Sequence, residues 1–399
     1  MIRDIIVTKI LLFIILSGIS TTMTTAKSSA ILIDFYGQEI ALDYDDDLVR
    51  VQGLKFEEAA FSQYLKEKEK TSYQNLLRQL STLKQELLLN DWMYYDLLQK
   101  SVAHMLRKGD RYERRLLTHF LLSKSGYDSK ITYLNNKMWV NVYTDDNMYE
   151  ISTILLGDRN YVNLTAATKK QRNFQSQVYL LDYVIAGSKR AFSFEMNTLP
   201  LLSPRPKKLS VSFNFKGKPI ILDVTIDLNM IDIINNYPIF DEISYLETPL
   251  SPTAVASLKP QLNAYMEHMN EETKLEFLAS ITRMAFKYKE DYQAYGKNKP
   301  MIAEELFFYD YSDCEDRCAL FYNLNKITLD LPLLVIALPD HLSIAVAMID
   351  PPSQVKNAID YQGKTYYFCD PTGPFNAHHI GSLPKEYQNS RYEILSAYK

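Results

Sequence analysis

Three residues late in the chain have side chains suited to acyl-transfer chemistry. Cys314 stands within Tyr309-Asp-Tyr-Ser-Asp-Cys-Glu-Asp-Arg-Cys-Ala-Leu320, His341 follows Pro339-Asp340, and Asp370 opens Asp370-Pro371-Thr372. In chain order these are a thiol nucleophile, an imidazole base and a carboxylate able to orient the base. Ser312 or Asp313 suits a helix N-cap, and Glu315 and Asp316 suit a first turn, so Cys314 is expected at N1 or N2. The free backbone N–H groups and the dipole at that end favour a thiolate and could hold an oxyanion. Asp313, Glu315 and Asp316 oppose a thiolate by like charge, so an imidazolium partner is needed. Arg317 is expected to pair with one of these carboxylates.

The elements around these residues must bring them together. The helix beginning at Cys314 is expected to reach about Asn325. Leu331–Leu338 reads as a central strand, and His341–Met348 as a second one. In the latter, His341, Ser343, Ala345 and Ala347 share a face whose small residues leave room for a helix or a substrate. Lys364–Asp370 is rich in Thr, Tyr and Phe and reads as the next strand, with Pro351–Gly363 as loop. Antiparallel pairing of Met348 with Gly363 sets His341 opposite Asp370, with Cβ atoms about 5 Å apart. A one-residue slip would put them on opposite faces. Thr372 can hydrogen-bond back, and the Ile349–Gln362 loop is expected to overhang the site. His378-His379 with Cys369 and Asp370 is a competing arrangement, but its spacing fits no zinc pattern. No metal and no cofactor are expected.

The set Ser312-Asp313-Cys314-Glu315-Asp316-Arg317, His341 heading a strand, and Asp370-Pro371-Thr372 ending the next resembles the transglutaminase-like superfamily, relatives of papain-type thiol enzymes. The resemblance covers about 259–374. It implies Cys314 as nucleophile, His341 as base and Asp370 as its orienting group. Departures are present: Leu342-Ser343 replaces the aromatic after the His, and no Trp precedes the Asp. For the oxyanion group, Tyr309, Tyr311 and Asp313 are the supporting candidates. The fold implied is α+β, a nucleophile helix packed on an antiparallel sheet, preceded by an N-terminal α+β domain. The function implied is a thiol enzyme acting on amide bonds of a peptide, protein or cell wall through an acyl-enzyme. Water as acceptor gives a peptidase or amidase, which is preferred here; an amine gives a transglutaminase. The alternative is a catalytically inactive member that binds or assembles.

Composition excludes other classes. The 399 residues carry a net charge of −4 with scattered basic groups, unlike a nucleic-acid groove. Only 12 Gly occur, and no glycine-rich phosphate loop is present, so nucleotide binding has no support. Three Cys make an odd number; Cys318 and Cys369 could bridge, though two small buried residues is the simpler reading. Cys314-x3-Cys318 is a poor substitute for a disulfide-exchange motif. Arg3 and Lys9, the apolar run Ile10–Ile19 and the small residues before Lys27 read as a signal peptide cleaved after Ala26. Export, to periplasm or medium, is the expectation.

Four segments follow: the signal peptide at 1–26, an N-terminal domain at 27–198, a Pro-rich linker at 199–208 and the transglutaminase-like domain at 209–399. Hairpins are expected around Gly37-Gln38 and Lys216-Gly-Lys-Pro219, and helices over 56–99, 112–124, 258–269 and 271–292. Strands are expected at 130–143 and 148–156. Glu113-Arg-Arg-Leu-Leu-Thr-His-Phe-Leu-Leu echoes Glu315-Asp-Arg-Cys-Ala-Leu-Phe-Tyr-Asn-Leu, which suggests that the first half is a degenerate copy of the second. His104, His119 and His268 fall in helical patterns and read as structural.

Overall fold

The computed structural model describes residues 27–50, 53–148, 151–166, 177–238, 241–351, 357–372, 380–383, 387 and 390–399. The signal-peptide segment and His378-His379 lie outside them. No helix among the described residues is long and apolar enough to cross a membrane. The architecture is α+β.

The chain opens on a hairpin of β1 (Ser28–Phe35) and β2 (Gln38–Asp45). Its two turn residues, Tyr36 (φ 52°) and Gly37 (φ 78°), are both left-handed, as a two-residue turn matched to strand twist requires. Helices α1 (Glu58–Lys68), α2 (Gln74–Glu86), α3 (Asp91–Met105) and α4 (Arg111–Lys124) follow. Next come β3 (Ser129–Leu134), β4 (Lys137–Tyr143), β5 (Thr153–Leu156), β6 (Arg159–Asn163) and β7 (Tyr179–Leu180), in one sheet of order β5-β6-β4-β3-β7. The long helical expectation over 56–99 thus breaks into three, because Thr71-Ser72 and Asn90 interrupt it; Asn90 caps α3 by accepting from Met93 N–H.

A second hairpin, β8 (Pro206–Phe215) and β9 (Lys218–Asp227), turns through Lys216 (φ 48°) and Gly217 (φ 79°). After it come α5 (Leu228–Asn235), α6 (Glu242–Glu247), α7 (Pro252–Met266) and α8 (Glu271–Met284). The expected helix over 271–292 stops at Met284, because the chain then forms β10 (Lys287–Tyr288) and α9 (Asp291–Tyr295). A 3-10 turn at Ala303–Phe307 and β11 (Tyr311–Ser312) lead to α10 (Cys314–Thr328). The last strands are β12 (Leu333–Leu338), β13 (His341–Ala347), β14 (Ala358–Tyr361), β15 (Lys364–Phe368) and β16 (Glu393–Tyr398), in the order β14-β15-β13-β12-β16.

The two halves share more than their outline. Both sheets have the same strand order, and their registers agree: Asn141 of β4 pairs with Asn163 of β6, and Ala345 of β13 with Phe368 of β15. Each of these pairs lies four residues into its strand. In each half a glutamine ties a helix to the preceding hairpin. Gln79 accepts from Asp43 N–H at 3.0 Å and donates to Asp43 O at 2.8 Å; Gln261 does the same with Asp223 at 3.0 and 2.6 Å. Both α4 and α10 begin with an acidic capping pair, Asp110/Glu113 and Asp313/Asp316. The caps align Glu113 with Asp316, one residue away from the match the sequence echo suggests.

Two large apolar cores accompany the two sheets. The first runs from Ile31 to Met196 and also takes in Met230, Ile233 and Ile234 of α5. The second joins β9, α7, α8 and α10 to one face of the second sheet, where Leu342, Ile344 and Val346 of β13 meet Cys318, Leu320 and Phe321. The opposite face, with Ala345, packs on Leu334, Ile336, Tyr366 and Phe368. The helix therefore lies against the large residues of β13, not the small-residue face that carries His341. The reason is apolar area: burying Leu, Ile and Val side chains against α10 gains far more than burying Ala and Ser.

Candidate active site

Cys314 is residue N1 of α10, with Asp313 as N-cap. Asp316 fixes this start by accepting Asp313 N–H at 3.1 Å and Met301 N–H at 3.0 Å. One turn on, Cys318 donates its thiol to Leu342 O at 3.3 Å, while the Leu342 N–H acts on the Cys314 sulfur. The two thiols, spaced i and i+4 on one face of the helix, thus address the two backbone groups of a single residue of β13. That residue is the neighbour of His341. All three cysteines are free and buried, so Cys318 and Cys369 do not pair.

His341 begins β13, paired with Leu338 across a tight turn. Its Nε2 lies 2.9 Å from Asp370 Oδ2. With the Nε2 proton donated to the carboxylate, the lone pair sits on Nδ1. The imidazole is held by a second contact, a ring stack on Tyr387 at 5.1 Å with 10° between planes. The Asp370 side chain is fully buried, and its other oxygen accepts Thr372 N–H at 2.9 Å. The Asp-Pro-Thr turn is itself clamped by α8: Arg283 Nε donates to Asp370 O at 2.9 Å, and Thr282 Oγ1 to Pro371 O at 2.8 Å. Thr372 Oγ1 also reaches Cys314 O at 3.4 Å, joining the turn to the head of α10.

The register that joins His341 to Asp370 differs from the simple hairpin. β15 pairs with β13 two residues along, as Ala345↔Phe368 and Val346↔Tyr367, and Cys369 N–H continues the ladder to Ile344 O at 2.7 Å. Asp370 is then level with Ser343, and the contact to His341 is diagonal. A shift of two residues preserves the face, so the pairing survives. The segment expected to be loop holds strand β14, which edges the sheet beyond β15. Ile349, where the expected overhang begins, follows the end of β13 remote from His341 and bonds Glu271 Oε1 at 2.8 Å.

The electrostatics around Cys314 oppose ionisation. Its thiol donates to Glu315 Oε2 at 2.9 Å. Burial first, then the charge and hydrogen bond of Glu315, push the thiol well above its usual range, with the Leu342 N–H pulling weakly the other way. Arg317 forms none of the expected carboxylate pairs. Its guanidinium donates to Ser312 Oγ at 3.3 Å, Phe286 O at 2.9 Å and Thr372 O at 3.4 Å, and lies over the Tyr288 ring. It acts as an internal tie between β10, α10 and the Asp-Pro-Thr turn.

Of the tyrosine candidates for the oxyanion group, Tyr309 has its hydroxyl committed elsewhere. Tyr309 donates to Asn235 Oδ1 at 3.0 Å, with Lys299 over its ring, and Tyr311 contributes its backbone carbonyl to Tyr295. Tyr288 is the residue that sequence reasoning missed. It pairs with Ser312 in the parallel β10–β11 bridge, and desolvation, the bond to Glu290 and the nearby Cys314 raise its hydroxyl. Tyr387 was missed for a similar reason: both lie in irregular stretches where no spacing signals a partner. His104 and His119 are satisfied by Lys100 O and Ser129 Oγ, at 2.9 and 2.8 Å.

The corresponding positions of the first half hold different chemistry. Residue N1 of α4 is Arg111, the first residue of β4 is Lys137, and the second residue past β6 is Thr165. No thiol, imidazole or carboxylate stands at these three positions. No family model, no curated protein and no solved structure matches the chain.

Proposed function

We propose that the chain is a transglutaminase-like cysteine enzyme that acts on amide bonds through Cys314, His341 and Asp370. The observation that carries this reading is the 2.9 Å bond between His341 Nε2 and the buried Asp370 carboxylate, with Cys314 at N1 of α10 tied to the same region through the Leu342 backbone and Thr372. Asp370 fixes the tautomer, leaving Nδ1 as the base. The imidazole takes the thiol proton, and the sulfur attacks the amide carbonyl. The C–N bond of the tetrahedral intermediate then breaks as His341 returns the proton to the leaving amine. Water next attacks the thioester to release a carboxylic acid, or a primary amine attacks to form a new amide. Hydrolysis, and a peptidase or amidase, is the preferred outcome. The N–H groups opening α10 are the donors we assign to a developing oxyanion. We further propose that the first half is a copy of the same papain-like core without the triad, and that the chain is exported.

One observation favours the second reading, a protein that keeps the fold for binding: the Cys314 thiol donates its hydrogen bond to Glu315 Oε2. Reaction with iodoacetamide, followed by mass spectrometry, separates the two. An enzyme gives one rapid adduct on Cys314, slowed at least about tenfold in His341→Ala, with the circular dichroism unchanged. A Cys314 no faster than a free thiol, and indifferent to His341→Ala, overturns the catalytic reading. With a glutamine peptide and a fluorescent primary amine, ammonia release without amine incorporation identifies the hydrolase.

A further inference from the structure

A cavity of about 730 Å³ lies in the first half, between α2, α3, α4 and residues 190–198. Four cations line it, Arg78, Lys84, Lys124 and Arg190, in a protein whose net charge is −4. Two of them have partners. Lys84 pairs with Asp91 and donates to Tyr127 OH at 2.7 Å, and Lys124 pairs with Glu69 at 2.9 Å. Among the described residues, Arg78 and Arg190 form no ion pair. Arg190 gives one N–H to Ser125 O at 3.3 Å and lies over the Tyr127 ring at 4.0 Å, and its own backbone N–H is pinned to Gly126 O at 2.9 Å. Glu195 is the acidic residue of the wall, its Oε2 accepting from Asn197 Nδ2 at 2.9 Å. Four cations thus face three carboxylates, Glu69, Asp91 and Glu195, which leaves the charge of one anion unmet.

The rim carries a second signal. Helix α2 ends in a pair of bonds, Leu89 N–H to Lys84 O at 2.9 Å and Leu88 N–H to Gln85 O at 3.2 Å, that holds Leu88 in the left-handed region at φ 50°. Glycine is the residue that takes this position without strain. Leu88 is instead 44% exposed and lines the cavity beside Leu77. A strained, exposed apolar side chain gains little within the fold; over a ligand it gains a surface to cover.

The second half shows that the shared scaffold does not need these charges. Counted from the glutamine clamps, Arg78 and Lys84 correspond to Pro260 and Met266. Counted from the acidic caps, Lys124 corresponds to Ile327. We infer that the cavity binds a small organic acid by its carboxylate, as at the C-terminus of a peptide, with the Arg78 and Arg190 guanidiniums on the carboxylate and Leu77 and Leu88 against an apolar body. Guanidinium forks match carboxylate geometry. Lys84 and Lys124, held by their own partners, add positive potential. An inorganic phosphate would leave the leucines uncovered and most of the cavity unfilled. The site uses none of Cys314, His341 and Asp370.

The test is titration calorimetry on the full protein with the peptide acetyl-Ala-Ala-Ala-Leu bearing a free carboxylate, the same peptide amidated, and inorganic phosphate. The acid should bind at least about tenfold tighter than the amide, and less tightly as sodium chloride rises from about 50 to about 500 mM. Arg78→Gln and Arg190→Gln change exposed residues, so each should keep the circular dichroism and weaken the acid at least about tenfold. Leu88→Gly relieves the left-handed strain and should raise Tm while weakening the acid, a combination that a purely structural leucine would not give. Equal binding of acid and amide, no heat with the acid, binding of phosphate but not of the acid, or an acid affinity unchanged in both arginine variants overturns the proposal. None of these readouts involves Cys314 alkylation, so this inference and the proposed activity fail separately.

Discussion

Glu315 is the residue whose replacement most directly tests the electrostatics of the site. Its carboxylate accepts the Cys314 thiol at 2.9 Å and, with burial, holds that thiol in the neutral form. Glu315→Gln keeps a hydrogen-bond acceptor of the same shape and removes the charge. Two unit charges about 4 Å apart interact by about 4 kcal/mol at an effective dielectric of about 20. Glu315 is partly exposed, so solvent reduces the effect to about 1–3 kcal/mol, or about one to two pH units on the thiol. The sign is fixed: removing a neighbouring negative charge favours the thiolate, so the alkylation profile moves to lower pH. At pH 7.5 the rate constant for Cys314 should rise about 10–100-fold. Mass spectrometry of iodoacetamide-treated protein reads this directly, with Cys318 and Cys369, at 0% and 2% exposure, as internal controls. A profile that does not move, or a slower Cys314, would refute the view that Glu315 suppresses the nucleophile.

Asp370→Asn leaves the shape of the turn intact but can present an amide N–H to the imidazole, favouring the wrong tautomer. A loss of about 10²–10⁴ in kcat is expected on any amide substrate identified, with little change in Tm. His119 gives the pH dependence of stability. Complete burial lowers it from 6.5 to about 3 in the folded state, so it contributes stability above pH 6.5 that is lost as pH falls toward 3. That loss amounts to about 3 kcal/mol by pH 4, and urea melts of His119→Gln should show a flatter acid limb. Gln79→Ala and Gln261→Ala each remove two backbone hydrogen bonds from equivalent clamps. Each should cost about 1–2 kcal/mol in chemical denaturation, and a cost confined to one of them would argue against equivalent roles.

Much of the fold could be read because its signals are local. Gly37 and Gly217 mark left-handed turns between alternating runs, Asn270 marks the cap of α8, and Ser125-Gly126 closes α4. The apolar run before His341 and the Thr/Tyr-rich run before Asp370 are strands for the reasons composition suggests. What was not legible depends on long-range pairing. β14 is four residues long, and its identity rests on β15 rather than on its own residues. β16 lies against β12 across some sixty residues of chain, a separation that no periodicity encodes. At the site, the residue types and the His341–Asp370 contact were readable, whereas the two-residue shift in register was not. Tyr288, Tyr387 and Asp291 escape sequence reasoning because each is delivered by an irregular segment from elsewhere in the chain.

The two halves separate scaffold from chemistry without any outside comparison. The hairpin with its glutamine clamp, the capped helix and the five-stranded sheet occur twice, so these features answer to stability and not to a reaction. Three things differ. At N1 of the capped helix, at the head of the second sheet strand and just past the fourth, the first half has Arg111, Lys137 and Thr165. The second half has Cys314, His341 and Asp370. Residues 285–313 have no counterpart beyond the short 106–110 link, and they bring Tyr288 and Asp291 to the head of α10. Both kinds of difference fall at the same end of the same helix. A helix N-terminus needs only one acidic cap, as α4 demonstrates with Asp110 and Glu113. Glu315 and Asp291 add negative charge beyond that cap and raise the Asp313 carboxyl further above its usual range, after burial and Asp316. The acidity beyond the cap also holds the Cys314 thiol above its usual range, chiefly through Glu315 after burial, and so opposes its ionisation.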